Sequence, residues 1–168
     1  MIIEQDAQET KDSFAFHANA AMRDLRLAEG TIWSAGPFTA DLAEAGLLSE
    51  IQFRPGEAKA AKGSVTLCIE FQYRALNGAA NEVEVLKLGC RFEVEYALRD
   101  DFHPTPAQVQ AFHRGNAVFN CWPFFREFVL NTTVRLAYPP SLIPFLRLVP
   151  KPTASAPIPK KRKNPSKS

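Results

Sequence analysis

Residues 65–98 read VTLCIEFQYRALNGAANEVEVLKLGCRFEVEYAL and contain two stretches in which apolar and polar residues alternate. The apolar residues are the odd-numbered ones over 65–73 and the even-numbered ones over 86–98. Such alternation is typical of antiparallel strands with one buried and one wetter face. The turn-forming segment NGAAN at 77–81 predicts that the two strands form a hairpin. The segment 83–85, VEV, is out of phase with the residues after it, which predicts a bulge near the start of the second strand.

Two further strands are predicted upstream of this hairpin. The first has an internal irregularity, and its apolar residues are Phe14, Phe16, Met22, Leu25 and Leu27. The second ends at the turn Pro55-Gly56, and its apolar residues are Leu48, Ile51 and Phe53. A looser segment, residues 30–46, connects them. The sequence therefore predicts four strands, in chain order, before any helix.

A helix start follows the last strand. Thr105 can cap a helix, Pro106 suits its first position, and Gln108 can complete a capping box. We expect this helix to end near Gly115.

The second predicted helix is capped by Asn120 or Asn116 and tolerates Pro123 in its first turn. It carries two apolar stripes. One consists of Trp122, Phe125, Val129, Thr132 and Leu136, and the other of Phe124 and Phe128. A helix that is apolar on two faces must be covered on both, so one stripe packs on the sheet and the other on a partner, most simply a second copy. Either stripe fits either role. Four strands followed by helices predict an α+β fold.

The chain becomes rich in proline after Tyr138. Residues 139–149 retain several large apolar side chains, so we expect them to pack as an extended segment. Six of the 20 basic residues and none of the 18 acidic ones follow Val149, so residues 1–149 carry a formal net charge of −4. We predict one domain over residues 1–149 and a disordered, basic, proline-rich tail over residues 150–168, which lacks the apolar surface to offset its ordering entropy.

Several function classes receive no support from the sequence. No apolar run approaches the roughly 18 residues that cross a bilayer, and the segment MIIEQDAQETKD at 1–12 lacks the apolar region of a signal peptide. The three cysteines are widely spaced, which is typical of buried thiols in a reducing compartment. We therefore expect a cytoplasmic protein without membrane insertion.

No motif for catalysis or metal binding is present. None of the three histidines has a Cys, Asp or Glu at metal-ligand spacing, and the eight glycines are scattered rather than grouped in a phosphate loop. His113 and Cys121 form a conceivable nucleophile pair, but a predicted helix break separates them. We expect no enzyme activity, no metal and no cofactor.

The basic run KKRK at 160–163 has two interpretations. It can bind nucleic acid or another anionic surface, or it can be a solvated tail. The second is favoured, because no aromatic residues are interleaved with the basic ones.

Residues 116–148, NAVFNCWPFFREFVLNTTVRLAYPPSLIPFLRL, resemble the C-terminal half of the SecB family. In that family an Asn and then an aromatic-Pro-aromatic-x-Arg-Glu motif open the main helix, an Arg follows one helix length later, and a Pro-containing segment comes next. The corresponding positions are Asn120 or Asn116, Trp122-Pro123-Phe124, Arg126-Glu127, Arg135 and Pro139. RDLRLAEG at 23–30 and residues 89–92 are similar to the family's first and last strands.

The resemblance implies a SecB-like fold, in which helices pack on one face of a four-stranded antiparallel sheet, and a homotetramer built as a dimer of dimers. It implies an ATP-independent holdase without cofactors. Its partners are then unfolded client polypeptides, either preproteins passed to the SecA motor for export or a dedicated client such as an antitoxin.

Such a chaperone needs exposed apolar grooves rather than reactive groups. The candidate client-binding residues are Trp33, Phe38, Leu47, Leu48, Leu142, Ile143, Phe145 and Leu146. Asp24 matches an acidic position that contacts SecA, and Phe124 and Phe128 are candidates for the oligomer interface. The alternative for each of these residues is ordinary packing in the core or in an interface.

The sequence departs from the family in three places. The prolines after Tyr138 disfavour the family's second helix, the tail is basic, and acidic positions near Asp24 are not clearly matched. A dedicated client is therefore as compatible with the sequence as export. Two other classes remain: a structural or regulatory oligomer of the same fold, and a small-ligand or enzymatic α+β protein whose tail binds nucleic acid.

Overall fold

The computed structural model describes residues 1–79 and 83–151. Its elements in chain order are β1 (Ile2–Gln5), α1 (Ala7–His17), β2 (Ala20–Ser34), α2 (Ala40–Ala45), β3 (Leu47–Ala61), β4 (Ser64–Asn77), β5 (Val83–Leu98), α3 (Pro106–Phe112), a π-helical turn (His113–Ala117), α4 (Val118–Arg135) and β6 (Arg147–Pro150). Four strands form an antiparallel sheet in the order β2-β5-β4-β3, and β1 pairs with β6 in a separate parallel sheet. The predicted α+β fold with a four-stranded antiparallel sheet is confirmed.

The predicted hairpin is formed by β4 and β5. Its register shifts where Ala75 pairs with Leu86 and Leu76 pairs with Glu84, so Val85 is the extra residue of a bulge. The predicted bulge is thus confirmed. Of the predicted turn, residues 80 and 81 lie outside the described residues, as does the basic run 160–163.

The prediction that the first strand begins at Phe14 is wrong. Phe14 and Phe16 belong to α1, which Asp6 caps in a box with Glu9. Two residues apart on a helix point to nearly opposite sides, and accordingly Phe16 is buried whereas Phe14 is exposed. In a strand, residues two apart lie on the same face, so this spacing also fits a strand with one apolar face. The capping box of Asp6 and Glu9 is the sequence signal that favours the helix. The strand itself, β2, begins at Ala20.

The looser segment predicted for residues 30–46 is shorter than expected. Strand β2 continues through Trp33 to Ser34, and α2 begins at a cap provided by Thr39. Only residues 35–39 and Gly46 remain outside these elements.

The predicted end of a strand at Pro55-Gly56 is also wrong. Strand β3 runs through both residues to Ala61, with a register shift between Pro55 and Ala58. The shift is possible because β3 is an edge strand, where a proline removes no ladder hydrogen bond on its outer side.

The capping box of α3 at Thr105 and Gln108 is confirmed, but the predicted helix break is not present. The π-helical turn joins α3 to α4 without interruption, and neither Asn116 nor Asn120 caps a helix. Gly115 lies within this turn, where an added Cβ atom would come within 2.3 Å of the Gln5 side chain. A larger residue at this position would therefore displace the end of the Gln5 side chain, which donates to the carbonyl of Ala111.

Helix α4 lies on one face of the sheet with the first of its two stripes inward. Trp122, Phe125 and Val129 are buried, and the rings of Phe125 and Phe71 stack at 4.7 Å. Phe124 is exposed and Phe128 is half-buried. The stripe that packs on the sheet is thus the one that contains Trp122.

Strand β6 reaches Pro150, and the backbone N–H of Lys151 donates to Gln5. The domain boundary predicted after Val149 therefore falls within this strand. Within residues 1–79 and 83–151, no helix has the length and hydropathy to cross a membrane.

Candidate functional site

A segment without helix or strand, residues 139–146, lies beside α4 and is here called the strap. Two side chains of α4 fix its backbone. Trp122 donates from Nε1 to the carbonyl of Pro144 at 2.9 Å, and Arg126 donates from Nε to the carbonyl of Ile143 at 2.8 Å. The WPFxRE sequence at 122–127 thus supplies two donors that hold the strap on the helix.

The beginning of the strap is fixed on the sheet side. Ser141 makes a hydroxyl hydrogen bond with Tyr73, and its backbone N–H donates to the Thr133 hydroxyl at 3.3 Å. Its end is held by β1, since the N-terminal ammonium group of Met1 donates to the carbonyl of Phe145 at 3.1 Å. The extended packing predicted for this segment is confirmed.

The strap divides the four client-binding candidates it contains into two pairs. Ile143 and Leu146 point inward and belong to the core. Leu142 and Phe145 point outward with relative exposures of 80% and 74%. The Phe145 ring is supported from below by the Arg126 guanidinium, which lies 4.4 Å from the ring centroid. The pinned backbone therefore presents two large apolar side chains to solvent.

The other four candidates do not gather at one place. Phe38 lies beside the start of the strap, with its ring 5.4 Å from that of Tyr138. Leu47 packs partly against the core, and Leu48 is exposed. Trp33 pairs with Lys87, so it lies on the sheet face opposite the strap. Of these residues, Phe38 is the one with a contact next to the strap, and it is half-buried.

Asp24 lies on the face of the sheet that α4 leaves open, opposite Glu95 in the ladder. Arginines on either side of it pair with the neighbouring glutamates. Arg23 pairs with Glu95 at 3.1 Å, and Arg26 pairs with Glu93 at 2.5 Å. The hydrogen bond from Arg26 lowers the pKa of Glu93. The two glutamates are therefore neutralised, whereas Asp24 itself forms no salt bridge among the described residues.

The open face also contains a shallow hollow of about 550 Å3. Across this hollow, four residues that are neighbours on adjacent strands alternate between acidic and basic: Glu29, Arg91, Glu70 and Arg54. Arg54 pairs with Glu70 at 2.6 Å and Arg91 with Glu29 at 3.9 Å, while the Arg91 Nε has no hydrogen-bond partner in the described residues. These charges largely satisfy one another.

His113 and Cys121 do not form a nucleophile pair. His113 Nε2 lies 2.7 Å from the carbonyl oxygen of Cys68, and burial lowers the pKa of this histidine. Burial raises the pKa of Cys121 to about 12, so its thiol is protonated near neutral pH. Among residues 1–79 and 83–151, no three His, Cys, Asp or Glu side chains are grouped to hold a metal ion.

Phe124 and Phe128 lie at the side of α4 that faces β2. Phe128 comes within 3.6 Å of a Cβ position built on Gly30, and the rings of Phe124 and Phe92 are 6.4 Å apart. Three apolar residues of β2 on the same sheet face are exposed: Met22, Leu27 and Ile32. These residues and the two phenylalanines border one apolar surface along the edge of the sheet.

The comparisons with solved structures give a strong match. The chain superposes with a TM-score of 0.72 on the SecB-like chaperone Rv1957 of Mycobacterium tuberculosis, whose structure is a complex with a ChAD peptide from the antitoxin HigA1. The two sequences are 22% identical, and the match covers 85% of this chain and 99% of that one. The chain has a SecB-like fold. A protein of unknown function from Streptococcus agalactiae gives a TM-score of 0.41 at 9% identity, covering 75% of this chain and 97% of that one, which is too low to bear on the fold. No family model and no curated protein matches the sequence.

Within this SecB-like fold, sequence reasoning missed what holds the strap. The sequence places Trp122 on an apolar stripe and Arg126 in the family motif, and it predicts neither side chain as a donor to the strap. Strand β1, which pairs with β6 at the end of the strap, had no counterpart among the predicted elements. The run Met1-Ile2-Ile3 was its only local signal, and a strand of four residues gives too little alternation to recognise.

Proposed function

We propose that this protein is an ATP-independent chaperone of the cytoplasm that holds unfolded polypeptides. The observation that carries the proposal is the strap, which exposes Leu142 and Phe145 on a backbone pinned by Trp122 and Arg126. Large apolar side chains held rigidly at a surface are a binding site prepared before the client arrives, so little ordering entropy opposes binding. The SecB-like fold supports the same proposal.

The strap alone binds a client weakly. Fully burying one large apolar side chain contributes about 1.5–3 kcal/mol, so two supply at most about 6 kcal/mol, equivalent to a Kd of the order of tens of micromolar. Tight holding therefore requires several such sites on one client, which an oligomer provides by avidity.

We propose that the oligomer forms through the apolar surface bordered by β2 and by Phe124 and Phe128 of α4. Phe124, Leu27 and Ile32 are all exposed there, and in the described part of the chain β2 is an edge strand that pairs on one side only. A second copy placed against this surface buries the side chains and pairs the edge. A further dimerisation would give the dimer of dimers that the resemblance implies.

We favour a dedicated client, such as an antitoxin, over preproteins delivered to SecA. The neighbour of known structure, Rv1957, is in complex with an antitoxin peptide. On this chain, Arg23 and Arg26 neutralise Glu95 and Glu93, so Asp24 stands as a single acidic group rather than as part of an acidic cluster for a SecA-type contact. A toxin–antitoxin gene pair beside the gene for this chain would supply the client to test.

The proposal is tested by the aggregation of a chemically unfolded model protein, without ATP, in the presence of the full chain or of a chain that ends at Lys151. Ending there retains the backbone hydrogen bond from Lys151 to Gln5. We expect both forms to delay aggregation. If neither form delays it at several-fold excess, general holding activity is wrong and binding to a single dedicated client is the activity to test.

A further inference from the structure

A second groove lies at the end of β3 that is far from the strap. It has a volume of about 1260 Å3 and runs between residues 55–61 of β3, the loop after β5 and the outer side of α3. We call it the β3 groove. Ser141 of the strap forms a hydrogen bond with Tyr73, and the ladder partner of Tyr73 on β3 is Ile51, so the strap lies nearest to β3 at Ile51. At about 3.3 Å per residue, residues 51–58 separate the two sites by roughly 20 Å.

The floor of the β3 groove is made of small side chains. Ala58 and Ala60 pair with Leu67 and Val65, whose side chains belong to the core, so the two alanines face the same side of the sheet as the helices. They are nevertheless exposed. At this end of β3 the sheet face is left uncovered, with room above it for the side chains of another segment.

The outer edge of β3 borders the same groove. In the described residues β3 pairs with β4 alone, so the N–H and C=O groups on its other side are unpaired. A strand added to this edge makes main-chain hydrogen bonds, and its alternate side chains fall on the floor of the groove. Addition of a strand to an exposed sheet edge is a common mode of peptide recognition.

The rim of the groove is basic. Lys62, Arg99 and Arg114 line it, against a single aspartate, Asp100. Lys62 and Arg99 have no carboxylate within 4.0 Å in the described part of the chain, and Arg114 has one at 3.9 Å, from Glu9. This rim contrasts with the net charge of −4 that residues 1–149 carry, so the positive charge here is local.

We propose that the β3 groove binds an extended, acidic segment of a polypeptide, which adds a strand to the edge of β3 and places its alternate apolar side chains over Ala58 and Ala60. The identification of that polypeptide with the client held at the strap rests on the function proposed above. One client segment then reaches both sites along β3, and the groove favours clients with acidic residues interspersed among apolar ones.

The experiment uses two labelled peptides as probes, one alternating valine with glutamate and the other valine with lysine, and measures their binding to the full chain. We expect tighter binding of the valine–glutamate peptide and slower hydrogen exchange at the amides of residues 57–61 when it is bound. Ala60→Trp fills the floor at an exposed position and should weaken binding at least tenfold. The double variant Lys62→Glu, Arg99→Glu should remove or reverse the preference between the peptides.

Two control variants separate this inference from the holding activity. Lys11→Glu reverses one charge at an exposed position of α1 that does not line the groove, half of the charge change of the double variant, and should leave peptide binding unchanged. Phe145→Asp alters the strap and should reduce the suppression of aggregation while the short valine–glutamate peptide still binds.

The inference is overturned if the chain delays aggregation but Ala60→Trp and the double variant bind the valine–glutamate peptide as the unmodified chain does. It is also overturned if that peptide binds without slowing exchange at residues 57–61. If the peptide binds in the groove but the chain never delays aggregation, the groove is supported and the holding activity is wrong.

Discussion

The two faces of the four-stranded sheet are built from alternate residues of the same strands, yet different interactions stabilise them. On the helix-facing side, Leu67, Ile69 and Phe71 are almost completely buried. On the open side, the neighbouring residues Glu70 and Arg74 pair with charges on adjacent strands. The first face excludes water and carries the stability of the fold, whereas the second is a solvated ladder of ion pairs, each of which contributes little.

The difference also locates the sites proposed for binding. The open face leaves few charges without a partner, and the centre of the helix-facing side is fully covered by α4. Apolar groups remain exposed where that cover ends: on the strap at Leu142 and Phe145, and along β2 at Leu27 and Ile32. The strap and the β2 margin of the covered face are therefore the surfaces that we propose for binding another chain.

The largest expected effect comes from comparing adjacent residues on opposite faces. Phe71→Ala removes a ring that stacks on Phe125, and we expect the free energy of unfolding to fall by about 3–5 kcal/mol. Gln72→Ala, one residue further on the open face, should change it by less than about 0.5 kcal/mol. Urea denaturation of both variants measures the difference. If the two variants lose equal free energy of unfolding, side chains of the open face contribute as much to stability as buried ones, and this comparison of the faces is wrong.

A smaller effect is expected at the attachment of the strap. Trp122→Phe removes the donor to the Pro144 carbonyl and leaves a small void, and should cost about 1–3 kcal/mol. Hydrogen exchange at the amides of Leu142 and Ile143 should become faster. Trp33→Phe makes the same change on the open face, where the ring is half-exposed, and should leave those amides unchanged. Unchanged exchange in both variants would show that Trp122 does not fix the strap.

The two faces should also respond to acid in different pH ranges. Burial lowers the pKa of His113 below 6.5, so the unfolded chain takes up this proton first and stability falls as pH decreases below about 6.5. Glu93, held ionised by Arg26 on the open face, loses its contribution only as pH falls below about 4.5. Chemical denaturation across pH 4–8 should show the first loss in the unmodified chain and not in His113→Gln. A loss that persists in His113→Gln belongs to another group.

The smallest effect is expected for a single ion pair of the open face. Arg54 is largely exposed, and Arg54→Ala should change the free energy of unfolding by about 0–1 kcal/mol, less in high salt. Thermal unfolding at low and high salt measures it. A loss well above 1 kcal/mol that is insensitive to salt would mean that Arg54 packs rather than pairs.

The central hairpin and the capping of α3 were predictable because each depends on local signals. Alternation over 65–73 and 86–98 identified β4 and β5, and Thr105 with Gln108 identified the helix start. The bulge at Val85 was predictable for the same reason, since one extra residue in a strand moves the apolar positions after it to the other phase.

Two of the mispredicted elements depend on contacts distant in sequence. The π-helical turn at Gly115 forms where the Gln5 side chain packs against it, and β1 exists because β6 is beside it. Phe14 and Phe16 are predicted in a strand because two aromatic residues at a spacing of two match the period of a strand, although only Phe16 is buried in α1. The strap was expected to be extended from its prolines, but which of its residues face outward is decided by Trp122 and Arg126 and could not be read locally.

The central claim is that the exposed side of the strap holds a client, and one pair of matched variants tests it most directly. Phe145 and Phe14 are both exposed, at 74% and 69%, but Phe14 lies on α1 rather than on the strap. Binding of a labelled, permanently unfolded protein should weaken at least tenfold in Phe145→Asp and stay unchanged in Phe14→Asp. Equal binding by both variants and the unmodified chain would contradict the claim.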